Sequence, residues 1–205
     1  MYQIRESAVL PCELPRKIAS SSLVCEHSAS TFGPLRVPAK PPTVREFSAG
    51  GLVLRKIRGK WNVAVIEPNT INHDGDAPPP PAREKPRVLA LPKGAIDKGE
   101  KPEQAAEREV LEETGLEVDR IRKLLDIKYI YTRSWGGRER VFKVVSFYLF
   151  RYRGGRIGDI SEAMRIEVRR CMWVPLERAH TMLTYKGERE VAQLAQQYVR
   201  AHHDL

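Results

Sequence analysis

Runs of apolar residues predict several β-strands in the first half of the chain. Residues 47–55 and 61–66 are rich in aliphatic side chains, and residues 58–60 between them have the composition of a tight turn. A shorter apolar run over residues 87–92 predicts a third strand. We therefore expect a hairpin followed by one short strand.

The central part of the chain predicts one helix and two long strands. The helix begins near Lys101, with Pro102 at an early position where its missing N–H costs little. It ends at Gly115, which suits a left-handed C-cap. Residues 124–132 and 140–152 have strand composition and follow directly.

The last third predicts a strand over residues 167–174, a short turn or helix over 175–180 and a closing helix over 187–201. The closing helix is amphipathic, and its apolar side contains Val191, Leu194, Ala195 and Tyr198. Strands, a helix, more strands and a final helix predict an α/β fold in which a mixed β-sheet lies between helices.

Residues 1–43 differ from the rest of the chain, because they are rich in Ser, Pro and Ala and contain only brief apolar pieces. We predict that they form a poorly ordered or loosely docked extension, and that residues 44–205 form the folded domain. An added edge strand, or a cover for a dimer face, is an open alternative for the extension.

Composition argues against membrane-spanning and disulfide-rich classes. No apolar run approaches the roughly 20 residues that a bilayer span needs, and no signal-peptide core is visible. The three cysteines, Cys12, Cys25 and Cys171, form no Cys-x-x-Cys pair and predict reduced thiols. We expect a cytoplasmic protein that is a monomer or a homodimer.

The net charge of +9 is unevenly distributed along the chain. Residues 94–116 contain seven acidic and three basic side chains, whereas residues 117–170 contain fourteen basic and seven acidic ones. An acidic metal site beside a basic sheet suits a polyphosphate substrate. A basic surface that only keeps the protein soluble explains most of the arginines equally well. No aromatic-basic motif supports nucleic-acid binding.

Three glutamates of the predicted helix have the spacing of a metal site. Glu109, Glu112 and Glu113 stand at i, i+3 and i+4, so they share one helical face. Like charges at that spacing repel each other unless a cation lies among them. Mg²⁺ is bound in proteins by a few carboxylates together with substrate phosphates. A solvated acidic helix is the simpler alternative, but it does not explain the surrounding residues.

The surrounding residues resemble the Nudix box, Gly-x5-Glu-x7-Arg-Glu-U-x-Glu-Glu-x-Gly-U, where U is a bulky aliphatic residue. Every fixed position is filled, by Gly94, Glu100, Arg108, Glu109, Val110, Glu112, Glu113, Gly115 and Leu116. The resemblance extends over about residues 45–200. It implies an α/β/α sandwich in which the box forms a loop, a helix and a second loop.

The resemblance also implies roles for these side chains. Glu109, Glu112 and Glu113 would bind Mg²⁺ or Mn²⁺, with the carbonyl of Gly94 as a further ligand, and Glu109 is alternatively the general base. Arg108 would orient a catalytic glutamate and, with Glu100, hold the loop to the helix.

A glutamate outside the box is a second candidate for the base or a further metal ligand. Glu167 resembles an acid that precedes the late strand in many family members. Glu162 competes for this role, and an ordinary surface position is an equal alternative for Glu167.

Substrate-binding candidates lie on both sides of the box. Lys93 in Leu-Pro-Lys-Gly resembles the diadenosine polyphosphate hydrolase branch and would contact a phosphate. Tyr129, Tyr131 and Trp135 are candidates to stack on a nucleobase, with packing under a helix as the alternative for the tyrosines. Arg133 and Lys143 are candidate phosphate contacts, with solvated strand charges as their alternative.

The resemblance implies a Mg²⁺-dependent hydrolase that cleaves a pyrophosphate bond in a nucleoside diphosphate linked to another group. Dinucleoside polyphosphates or nucleoside triphosphates are the first expected substrates, and ADP-ribose or nucleotide sugars the second. Removal of pyrophosphate from RNA 5′ ends and a non-catalytic nucleotide sensor remain alternatives.

Overall fold

The computed structural model of the chain describes residues 43–69, 87–133 and 139–202. Within these ranges the elements in chain order are β1 (Thr43–Ile57), β2 (Lys60–Pro68), β3 (Lys93–Ala95), α1 (Pro102–Thr114), β4 (Leu116–Arg133), β5 (Glu139–Gly155), a 3₁₀ turn (Met164–Ile166), β6 (Val168–Pro175), α2 (Leu176–Met182) and α3 (Lys186–Ala201). The predicted N-terminal extension lies outside the described residues, apart from Thr43, with which β1 begins.

The six strands described form one mixed sheet, in which five follow the order β4-β5-β1-β2-β6 and β3 pairs with β1. β1 runs parallel to β5 from Thr43, opposite Arg140, to Leu54, opposite Arg151. The other strand pairs are antiparallel. β3 pairs with the first half of β1 and β2 with its second half, so β3 and β2 follow each other along one edge of β1.

Helices cover both faces of this sheet. Successive residues of β1 point to opposite sides, so alternate side chains pack against different helices. Ala49 and Val53 pack against α1 in a core that also contains Ala105, Ala106, Val110, Tyr148 and Phe150. Leu52 and Leu54 pack toward α2 and α3 in a core that contains Val145, Phe147, Ala179, Val191 and Ala195. The predicted α/β/α sandwich is confirmed. None of the helices in the described ranges is long and apolar enough to cross a bilayer.

The ends of α1 are formed by the residues that the sequence indicated. The side-chain oxygen of Gln104 accepts the backbone N–H of Lys101 at 3.1 Å, and Pro102 is the first helical residue. Gly115 ends the helix with φ 74°, a left-handed conformation that glycine adopts without strain. These ends fix where the glutamates of the helix lie.

The strand predicted over residues 87–92 is wrong. Only Ala90 in that run bridges to another strand, at Ile66, and regular pairing begins at Lys93. The reason is that Pro92 has no N–H to donate, and the N–H of Leu91 is bonded to a side chain of α3.

The strand after α1 is longer than predicted. β4 begins directly after the helix cap and pairs with β5 over its whole length, but with register shifts at three places. Each shift turns the following side chains to the other face, which removes the simple alternation that reveals a strand in a sequence.

Gly51 provides a test of the packing between α1 and the sheet. A Cβ at this position would lie 2.5 Å from the ring of Phe150 and 2.7 Å from Val110. We expect Gly51→Ala to destabilise the domain by about 1–3 kcal/mol through overpacking, measured as a lower thermal midpoint. Gly154→Ala is the matched control, since its Cβ meets only the flexible carboxylate of Glu117 at 3.3 Å. Equal midpoints would contradict the packing.

Candidate active site

Arg108 organises the acidic side of α1. Its guanidinium bonds both oxygens of Glu100 at 3.0 Å and donates to the carbonyl oxygen of Ala95 at 2.9 Å. Its Nη1 also contacts Glu109 at 2.7 Å and Glu112 at 2.9 Å. One side chain therefore ties the loop before the helix to two of the predicted ligands, and these contacts raise the pKa of Arg108 further.

Two of the three predicted metal-ligand glutamates are buried, and the third is exposed. Glu109 and Glu113 are each only 7% exposed, whereas Glu112 points toward solvent. Burial raises the pKa of the Glu109 carboxyl, partly offset by its bond to Arg108. Burial likewise raises the pKa of Glu113 to about 8, against the opposing backbone N–H of Lys93, which donates to Glu113 Oε2 at 2.7 Å.

The surroundings of these carboxylates fit a hard divalent cation. A Cβ on Gly94 would lie 2.2 Å from the Glu109 carboxylate, so the glycine makes the space in which that group sits. Within the described residues no three acidic, His or Cys side chains converge as a ready-made metal cluster, because Arg108 stands between Glu109 and Glu112. The donor set is all oxygen, partly desolvated and mutually repulsive, which is what such a cation compensates.

Glu167 lies within electrostatic reach of the box. It directly precedes β6 and is exposed, and its charge raises the pKa of both Glu109 and Glu113. The fold therefore brings Glu167 within electrostatic reach of two of the predicted ligands.

Lys93 stands at the junction of two cavities on the α3 side of the sheet. A cavity of about 620 Å³ is lined by Lys93, Tyr129 and Tyr185, over the apolar floor of Ile127 and Phe147. A second cavity of about 420 Å³ is also lined by Lys93, together with Gly94, Ala95 and Lys143. An ammonium group and the start of the box thus border the same open space.

Three predicted substrate-binding residues converge on one carboxylate, that of Glu46. Tyr131 donates its hydroxyl to Glu46 at 2.9 Å, Arg133 forms an ion pair with it, and Lys143 Nζ lies 3.7 Å from it. Tyr129 lies beside Tyr131 on the same face of β4, with ring centroids 6.2 Å apart. Trp135 lies outside the described residues.

Glu46 and Glu188 are the two site carboxylates that the sequence pattern did not single out. Glu188 was detectable in principle, because it stands on the buried face of α3 with Val191, Ala192 and Ala195, where a charge is out of place. Glu46 had no such signal. It meets Arg133 and Lys143 only through the pairing of β1, β4 and β5.

Together these features define a class of protein: an α/β/α domain with a partly buried carboxylate site beside a lysine-bearing cleft. The family model of the NUDIX domain matches residues 76–196. This chain belongs to the Nudix family, so the prediction of a Nudix hydrolase is confirmed at the level of the family. Divalent metal ions are the general cofactors of that family.

Individual relatives agree with this assignment. The chain is 36% identical over 168 residues to a putative mutator protein MutT4 of Mycobacterium tuberculosis, which covers 81% of this chain and 60% of the relative. It is 40% identical over 73 residues to an RNA pyrophosphohydrolase of Cereibacter sphaeroides, covering 31% of this chain and 44% of that protein. The chain thus spans about half the length of these curated relatives.

Solved structures show the same fold. An Ap4A hydrolase of C. elegans in a binary complex superimposes with a TM-score of 0.53 at 20% identity, covering 77% of this chain and 99% of that one. The NUDIX domain of Shewanella oneidensis NrtR, complexed with ADP ribose, gives a TM-score of 0.50 at 18% identity, covering 76% and 89%.

The raised pKa of Glu113 predicts a pH-dependent instability without metal. Between its ordinary pKa of 4.5 and its folded value of about 8, the unfolded chain releases a proton that the folded protein retains. The fold therefore loses stability as pH rises through this window, by on the order of 2–4 kcal/mol. In EDTA, Glu113→Gln should melt higher than the natural protein at pH 9, with little difference at pH 4.

Glu107, a half-buried residue on the same helix, supplies the control. Glu107→Gln should show the same pH dependence of the thermal midpoint as the natural protein, since that side chain faces Arg120 and lies outside the buried pair. A Glu113→Gln midpoint that follows the natural protein at every pH would show that the buried carboxylate carries no such penalty.

Proposed function

We propose that this protein is a Mg²⁺- or Mn²⁺-dependent hydrolase of a pyrophosphate bond in a nucleoside diphosphate linked to another group. Dinucleoside polyphosphates and nucleoside triphosphates are the first candidate substrates. The observation that carries the proposal is the buried pair of carboxylates, in which Glu109 lies against Gly94 and Glu113 accepts the backbone N–H of Lys93.

Glu109, Glu112 and Glu113 are the proposed metal ligands, with the carbonyl of Gly94 as a further one. A bound Mg²⁺ or Mn²⁺ would neutralise phosphate charge and make water a better nucleophile. Glu112 is exposed and held by Arg108 alone among the contacts described, so it is free to turn toward a cation at small cost.

The chain's own residues would bind and orient the substrate. Lys93 and Lys143 border the cavity next to Gly94 and would bind phosphate oxygens as point charges. Tyr129 and Tyr131 would stack on a nucleobase, a contact worth roughly 1–3 kcal/mol per base in other systems. The substrate would thus lie along the α3 side of the sheet, with its phosphates toward the box.

Hydrolysis of the pyrophosphate bond needs only water as the nucleophile and one base. The oxygen of water forms a bond to phosphorus, the bond from that phosphorus to the bridging oxygen breaks, and a carboxylate accepts the proton from water. Glu109 and Glu167 are the two candidates for this base. Glu109 is the more buried, whereas Glu167 is not engaged by Arg108 in the contacts described.

Removal of pyrophosphate from RNA 5′ ends is a second candidate function. It is favoured by the name of the Cereibacter sphaeroides relatives and by the basic composition of residues 117–170. A nucleotide sensor without turnover is the non-enzymatic alternative. Unlike both hydrolases, a sensor would bind nucleotide without forming product.

The metal ligands are tested by two matched variants of α1. Glu112→Gln should lower kcat by at least about 100-fold, equivalent to about 2.7 kcal/mol of transition-state stabilisation. Glu107→Gln should retain normal turnover, since that carboxylate faces Arg120 at 3.9 Å instead of the box. EDTA should abolish activity, and Mg²⁺ or Mn²⁺ should restore it. Activity that is indifferent to chelation would refute the mechanism.

Substrate choice is tested by a panel of dinucleoside polyphosphates, nucleoside triphosphates, ADP-ribose and 5′-triphosphate RNA, with products resolved by chromatography. We expect the highest kcat/KM for a dinucleoside polyphosphate or a nucleoside triphosphate. A preference for RNA would replace the first candidate by the second. Binding with no product from any member of the panel would identify a sensor.

A further inference from the structure

The segment Leu91–Lys93 is fixed by three elements of the fold. The N–H of Leu91 donates to Glu188 Oε2 of α3 at 2.9 Å. The carbonyl oxygen of Pro92 accepts the N–H of Gly51 of β1 at 3.0 Å. The N–H of Lys93 donates to Glu113 of α1 at 2.7 Å. This segment therefore connects the helices on opposite faces of the sheet.

Glu188 holds the segment Leu91–Lys93 on the α3 side. It is 2% exposed, on a helix face whose other buried members are apolar. A carboxylate in such a place destabilises a protein unless its oxygens are paired. Both are: Oε2 accepts the Leu91 N–H, and Oε1 lies 3.3 Å from Lys93 Nζ. Glu188 is therefore the acceptor for both the Leu91 N–H and the Lys93 ammonium.

The geometry leaves the ammonium of Lys93 able to bind a ligand. Its side chain is 27% exposed, and Nζ also lies 3.5 Å from the carbonyl oxygen of Leu91. An ammonium group has three hydrogens, so two protein acceptors leave one for the cavity. The ring of Tyr185, with its centroid 5.8 Å from Nζ, borders the same position.

We propose that Glu188 is a positioning residue that holds the Lys93 ammonium at the junction of the two cavities, where a substrate phosphate binds. It touches no substrate itself and acts through Lys93. This inference rests on the proposed function, because it assigns Lys93 to a phosphate. It adds that affinity for that phosphate is set from α3, on the opposite face of the sheet from the metal ligands.

A free lysine has four rotatable bonds, and fixing it on binding has an entropic cost. Glu188 removes most of that cost in advance, since the ammonium is already held. Loss of the Glu188 charge should therefore weaken binding rather than the chemical step. A purely structural role for Glu188 would instead lower stability and activity without any dependence on Lys93.

A double-mutant cycle separates these two roles. Glu188→Gln retains an oxygen to accept the Leu91 N–H but removes the charge. We expect Glu188→Gln and Lys93→Met each to raise KM by about tenfold with kcat changed less than about threefold. Glu188→Gln should have no further effect when Lys93 is already Met. Additive effects on KM, or a Glu188→Gln variant with natural KM, would overturn the proposal.

Binding without turnover provides the second readout. Affinity for the β,γ-methylene analogue of ATP is measured by calorimetry in EDTA, where no metal contributes. The same cycle is expected, with about tenfold weaker binding for each single variant and no further loss in the double variant. If no substrate is hydrolysed, the proposed function fails, whereas this binding cycle still supports or overturns the role of Glu188.

Folding of the variants is checked by their thermal midpoints. Glu177→Gln, an exposed change on α2, is the control and should match the natural protein in KM and affinity. If Glu188→Gln alone does not fold, Lys93→Met is compared with the double variant, which contains neither buried charge. Equal analogue affinities for these two would support the proposal, and weaker binding by the double variant would overturn it.

Discussion

The burial of two like-charged carboxylates, Glu109 and Glu113, is the constraint on which this site depends. In a desolvated setting each needs a nearby donor, and each obtains a different one. Arg108 bonds Glu109 from the same helix, while the backbone N–H of Lys93 bonds Glu113 from the sheet. Gly94 lies against Glu109, and a Cβ there would collide with the Glu109 carboxylate. The charge that remains after these contacts is what a divalent cation would balance.

The same constraint links the two layers of helices. The donor to Glu113 belongs to a segment whose preceding N–H is held by Glu188, on the other side of the sheet. Pro92 suits the centre of this segment, since its carbonyl bonds β1 and it has no N–H to leave unpaired. The segment Leu91–Lys93 therefore joins Glu188 of α3 to Glu113 of α1 through two backbone hydrogen bonds.

Three basic side chains lie near this site. Lys93 and Lys143 border one cavity, and Arg133 stands at the end of β4. Glu46 pairs with Lys143 and Arg133, so part of this positive potential is compensated within the protein itself. Lys93 is likewise paired, with Glu188 at 3.3 Å, but its side chain remains 27% exposed beside the box. The Nudix family and the proposed pyrophosphatase activity are consistent with this distribution.

The sequence by itself determined the family, the α1 helix with its ends at Pro102 and Gly115, and the helix-sheet-helix architecture, because these follow from local spacing and periodicity. Bulges hid the true length of β4, and Pro92 made a loop resemble a strand. Only the tertiary structure decided which glutamates are buried and which cations face an acid. Pairs such as Glu46 with Arg133, or Glu188 with Lys93, join residues about 90 positions apart. These contacts arise from strand register and helix docking, which a local sequence pattern does not reveal.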